Sequence, residues 1–110
     1  MARSEKGTLP GGTAMLVLAL LKGEEMYGYQ IIEELEKRSE HVFQLKEGTL
    51  YPLLHTLEKE KLVEGRDAQS PSGRTRRYYR ITSSGLKVLE EREREWHVYA
   101  HAVSAVLSGA

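Results

Sequence analysis

The stretch that most restricts the fold is residues 48–82, where a short apolar-faced segment containing a proline leads into a basic ribbon. Proline lacks an N–H and crowds the preceding turn, so it is costly deep in a helix and tolerated in the first turn. Pro52 therefore places a helix start a few residues upstream, at Gly48 and Thr49, with Leu50, Leu53, Leu54 and Leu57 facing a core. Residues 62–66 and 75–82 read as two strands. The link between them, from Asp67 to Gly73, is turn chemistry without a core residue. Alternation along the second strand puts Tyr79 and Ile81 on one face and Arg76, Tyr78 and Arg80 on the other.

Upstream, residues 1–11 are polar and read as an arm or loop, in which Arg3 and Lys6 are the charges able to reach a partner. Residues 13–22 carry Leu16, Val17, Leu20 and Leu21 at helical spacing, with Gly23 as a C-cap. A second helix spans roughly residues 27–39, burying Ile31, Ile32 and Leu35, and Val42, Phe43 and Leu45 form an apolar link to the third. After the ribbon, Thr82 or Ser83 caps a long helix over residues 84–107. Its seam is Leu86, Leu89, Glu93, Trp96, Ala100, Val103 and Leu107, widened by Tyr99 and Val106.

The expected fold is mainly α with a small β-hairpin, a winged helix-turn-helix followed by a long C-terminal helix. Residues 1–82 form the first unit and residues 83–110 a dimerisation helix. A seam of this length exceeds what so small a domain can cover, so a second copy is the expected cover.

The formal net charge is zero, but it is unevenly placed. Residues 66–80 hold five arginines and one acid, whereas residues 24–47 hold seven acids and three bases. A local positive field of this kind suits a polyanion, with acids elsewhere maintaining solubility. Four arginines between residues 74 and 80 exceed what protection of an exposed strand edge requires. A helix tip beside a basic ribbon is a way to grip double-stranded DNA. The residues expected to meet it are Lys46, Thr49, Tyr51 and His55 on the third helix and Arg74, Arg76 and Arg77 on the ribbon.

Other chemistries find little material. There is no cysteine, the single aspartate is Asp67, no Gly-rich phosphate loop precedes a helix, and no triad suggests itself. No cofactor is expected. His97 and His101 lie four apart with Glu93 one turn earlier, a spacing able to chelate a metal. Two histidines on a wet helical face are the preferred reading, and no metal is assigned. The longest apolar run falls far short of a membrane span and the N-terminus lacks a secretion signal, so a cytoplasmic location is expected.

Taken together, Leu18-Ala19-Leu20-Leu21, Tyr27-Gly28-Tyr29-Gln30-Ile31, Gly48-Thr49-Leu50-Tyr51-Pro52-Leu53-Leu54, Leu57-Glu58, Leu62-Val63 and Arg77-Tyr78-Tyr79-Arg80-Ile81-Thr82-Ser83-Ser84-Gly85 resemble the PadR family of bacterial transcriptional regulators. The resemblance covers roughly residues 9–89 and points to the shorter subfamily with a single helix after the wing. It implies a homodimeric, usually repressing, operator-binding protein. It also makes Trp96 the candidate contact for a flat aromatic effector held at the dimer interface. Two positions depart from the family habit. Lys61 stands where a glycine usually ends the third helix, and Thr56 where a basic residue is common. The competing reading is a winged-helix adaptor that binds protein and no DNA.

Overall fold

The computed structural model describes residues 12–109; the expected arm, with Arg3 and Lys6, lies outside them. Helix α1 (Gly12–Gly23) is followed by a two-residue strand β1 (Met26–Tyr27), then α2 (Gly28–Arg38) and α3 (Glu47–Lys59). Strands β2 (Val63–Gln69) and β3 (Thr75–Ile81) form the hairpin, and α4 (Ser83–Leu107) closes the chain. The sheet is antiparallel in the order β1-β3-β2, so a third strand joins the expected hairpin. Met26 and Tyr27 pair with Tyr79 and Tyr78, a piece too short for alternation to reveal.

The core forms where the helical stripes meet one face of this sheet. Val17, Leu18, Leu20 and Leu21 of α1, Ile31 and Leu35 of α2, and Leu50, Leu54 and Leu57 of α3 are buried. Met26, Val63 and Tyr79 come from the sheet's inner face and Leu45 from the link. Within that link Phe43 is half-buried and Val42 is exposed, because the chain turns sharply ahead of them.

Helices α2 and α3 both end in Schellman motifs with unsuitable residues at the left-handed position. At the end of α2, Glu40 N–H donates to the Lys37 carbonyl and His41 N–H to that of Glu36. Glu40 and His41 consequently take φ of 53° and 69°. The Ser39 side chain pins the turn, its Oγ accepting from Phe43 N–H at 3.0 Å. At the end of α3, Lys61 N–H donates to the Glu58 carbonyl and Leu62 N–H to that of Leu57, with Lys61 at φ 65°. The glycine missing at this position is thus felt in the backbone. A left-handed non-glycine residue costs about 1 kcal/mol or more, so Lys61→Gly is expected to stabilise the fold by about 1 kcal/mol. Urea unfolding should show a raised midpoint with an unchanged slope.

Pro52 proves to be the sixth residue of α3, beyond the first turn, since the helix begins at Glu47. The carbonyl that loses its N–H partner belongs to Gly48, four residues back and exposed, where water can satisfy it.

Helix α4 begins inside the core and leaves it. Thr82 caps it, its Oγ1 accepting from Gly85 N–H at 3.0 Å. Gly85 and Leu89 are its buried residues, and none is buried from Glu90 to Leu107. Leu89, expected on the dimer seam, is 1 % exposed within its own protomer and cannot serve a partner. The head and the projecting rod therefore meet inside α4. The rod, about 27 Å of helix, gives the molecule its elongated outline of 57 × 28 × 27 Å. No helix among the described residues is long and apolar enough to cross a membrane.

Candidate nucleic-acid interface

The wet face of α3 is formed by Glu47, Gly48, Thr49, Tyr51, Pro52, His55, Thr56 and Lys59, all exposed. Lys46 is the N-cap, and its side chain makes no capping hydrogen bond. The Lys46 carbonyl accepts from Thr49 and Leu50 N–H. Thr49 therefore sits inside the first turn, and its hydroxyl is not the cap. An uncapped helix start presents N–H groups and the positive end of the helix dipole to an anion. Glu47 in the same turn opposes that field.

Tyr51 is 44 % exposed, yet the end of its ring lies against Gly28 at the start of α2. A Cβ at Gly28 would stand 2.3 Å from the Tyr51 hydroxyl oxygen, so glycine is what lets the two helices close here. Burial, and secondarily Glu47, push the Tyr51 phenol above its usual pKa. Packing and an exposed edge thus coexist in this one side chain. The preceding residue, Tyr27, carries the contact onward to the wing: the Arg76 guanidinium lies over its ring, 4.2 Å from the centroid. Tyr51, Gly28, Tyr27 and Arg76 form a continuous line of contacts from α3 to the ribbon.

The register divides the ribbon's charges between two faces. On the outer face, Tyr27 and Tyr78 meet edge to face at 5.4 Å between centroids. Arg66 lies over Tyr78 and pairs with Glu25, whose carboxyl is held below its usual pKa by the hydrogen bond from Arg66. Arg80 pairs with its cross-strand neighbour Glu64. On the inner face, Arg77 donates to Glu58 of α3 at 2.6 Å and to Asp67 of β2 at 3.1 Å. Three of the five ribbon arginines therefore meet carboxylates of their own chain. Among the described residues Arg74 and Arg76 have no such ion pair, nor does Lys46. Charge counting along the chain could not separate these groups, because Glu25, Glu58 and Glu64 are distant in sequence or lie across the hairpin. Arg77 in particular is not the open cation expected from its position.

The hairpin turn is compact. Gly73 N–H donates to the Ser70 carbonyl at 2.9 Å and Ser70 N–H to the Arg74 carbonyl at 2.7 Å, with Gly73 at φ 87°. Pro71 occupies the position of a tight turn that favours proline. Ser70 is buried at the base, its Oγ within 2.9 Å of Ser72 Oγ and accepting from Arg74 N–H. Residues 67–69, expected in the turn, extend β2 instead, so the ribbon is longer and its tip slimmer.

Along α4, the remaining seam residues are accessible: Leu86, Trp96, Val103 and Leu107 are exposed and Ala100 is partly so. Trp96 stacks on Tyr99 with 6.0 Å between centroids and 30° between planes. His97 and His101 are exposed.

Comparison with known proteins agrees with this architecture. Residues 17–91 match the transcriptional regulator PadR-like family. A transcriptional regulator of Mycobacterium tuberculosis, Rv3488, is 37 % identical over 79 residues, covering 72 % of this chain and 70 % of that protein. The crystal structure of a PadR-like transcriptional regulator from Bacillus cereus is 38 % identical with a TM-score of 0.79, covering 91 % of this chain and 95 % of that one. A PadR family regulator from Clostridium difficile is 34 % identical with a TM-score of 0.75, covering 84 % and 95 % of the two chains. With its uncapped α3, slim basic hairpin and projecting final helix, the chain belongs to the PadR-like family of transcriptional regulators.

Proposed function

We propose that the protein is a cytoplasmic repressor that binds a pseudo-palindromic operator as a homodimer. The observation that carries this reading is the pairing of an uncapped α3 start, exposed at Glu47, Gly48 and Thr49, with a hairpin whose Arg74 and Arg76 pair with no carboxylate among the described residues. In this reading α3 enters the major groove, with Lys46, Thr49, Tyr51 and His55 nearest the duplex, and the hairpin tip reaches the flanking backbone. Dimerisation is supported by the rod of α4, because helices in proteins gain most of their stability by packing an apolar face and the rod leaves its face exposed. Leu86, Trp96, Ala100, Val103 and Leu107 would be covered by the same residues of a second copy. Two-fold symmetry then sets the reading helices about one DNA turn apart, roughly 34 Å.

Repression would follow from covering a promoter. An aromatic effector stacked on Trp96 between the two rods relieves it only by preferring the spacing that does not fit DNA. The test is a gel shift with the DNA upstream of the protein's own gene, across a salt series. Lys46, Arg74 and Arg76 from two protomers give about six phosphate contacts, so affinity should fall roughly a thousandfold between about 50 and 200 mM salt. Absence of any retarded complex at low salt would favour the adaptor reading instead.

A further inference from the structure

We propose that Arg77 is a positioning residue, the strut that fixes the angle between the reading helix and the wing, and not a phosphate contact. The inference rests on the DNA-binding reading and assigns within it a role opposite to the one its place in the arginine run suggests.

Three features of its surroundings form a seat. Its guanidinium spans two elements, donating from Nη2 to Glu58 in the last turns of α3 and from Nη1 to Asp67, its cross-strand partner on β2. Glu58 is 19 residues away in sequence, so this contact ties helix to sheet and not merely strand to strand. Beneath it lies Gly65, where a Cβ would stand 2.7 Å from Arg77 Nε and 2.9 Å from Cζ. The missing side chain at Gly65 is the space the guanidinium occupies. On the third side the group lies 5.9 Å from the centroid of the Tyr79 ring, which is itself buried in the core. A planar fork with two carboxylates and a ring has few alternatives, and lysine reproduces none of this geometry.

A phosphate approaching Arg77 would meet two carboxylates, Glu58 and Asp67, already bonded to the same guanidinium, and their negative charge would oppose it. Among the described residues, Arg74 and Arg76 pair with no carboxylate. Moreover, the Lys61 turn and this pair both tie the hairpin to the C-terminal end of α3. The strut is therefore placed where a small rotation of the wing against α3 would be resisted.

Two variants conserve net charge and separate the roles. Gly65→Ala puts a methyl group where the guanidinium lies, and Arg77→Lys keeps the charge without the fork. Each is measured on the full-length protein against an operator fragment already bound by the wild type. For a strut, both lower affinity about tenfold, and Arg77→Gln leaves the salt slope unchanged. For a phosphate contact, both charge-conserving variants bind as the wild type or better, and Arg77→Gln makes the slope shallower by about two per dimer. Either of those results overturns the proposal.

If the wild type binds no DNA, the regulatory reading fails first and the strut is decided without DNA. Urea unfolding of Glu58→Gln, Arg77→Gln and the double variant should then give a coupling of about two- to fivefold in the unfolding constant. Additivity of the two single effects would remove the strut.

Discussion

Gly85→Ala is expected to lower stability by about 3 kcal/mol, enough to take a domain of this size down by roughly 12 °C or more. The methyl group would stand 2.2 Å from the Leu62 carbonyl oxygen and 2.7 Å from Ile81 Cγ1. The first obstacle is backbone and cannot rotate aside. That carbonyl already accepts from Thr82 N–H at 3.0 Å and from Thr82 Oγ1 at 3.1 Å. Thr82 Oγ1 shares its single proton with the Lys61 carbonyl, at 2.8 Å, while accepting from Gly85 N–H. The turn after α3 and the start of α4 are thus tied at one point, and separating them to admit a methyl group strains both. Thermal unfolding followed by circular dichroism measures the loss. Gly23→Ala is the control: nothing lies within 4 Å of a Cβ there, and its backbone φ is not positive, so its effect should stay within about 1 kcal/mol.

Reversing the charge at both open wing arginines, Arg74→Glu with Arg76→Glu, is expected to cut operator affinity by about a thousandfold at physiological salt. Like charges placed together at an interface cost several kcal/mol, and a dimer would carry the change four times. Neither arginine bonds to a carboxylate among the described residues, so the fold should lose only the Arg76–Tyr27 ring contact, about 1 kcal/mol. A slightly lowered melting temperature with lost fluorescence anisotropy on labelled operator DNA is the expected pair of results. The same reversal at Arg66 and Arg80 should do less to affinity and more to stability, because it sets new acids against Glu25 and Glu64.

The helices and the main strands were legible because each has a clear period. The leucines of α3 and the aliphatic stripes of α1 and α2 lie buried or half-buried where helical spacing puts them. The alternation of Tyr79 and Ile81 against Arg76, Tyr78 and Arg80 matches the strand register. Strand β1 escaped notice because two residues carry no period. The fate of the arginines escaped for a different reason: each carboxylate partner is brought in by a fold contact, as Glu25 is to Arg66 across 41 residues. Leu89 was misplaced because a helical seam does not announce where a helix leaves its own core. Lys61, in contrast, was legible from the missing glycine, and its left-handed backbone is the physical outcome. Glu40 gave no such signal, since nothing in its identity favours the conformation it adopts.

The rooting of α4 by Gly85 and Leu89 makes the remainder of that helix a lever arm. With about 27 Å of unsupported length, a tilt of roughly 10° at the root displaces the far end by about 5 Å. Mutations at the root should consequently alter the separation of two paired heads more than equally conservative changes near Leu107. In the proposed dimer, the gauge between the two heads would be set at the base of the arm.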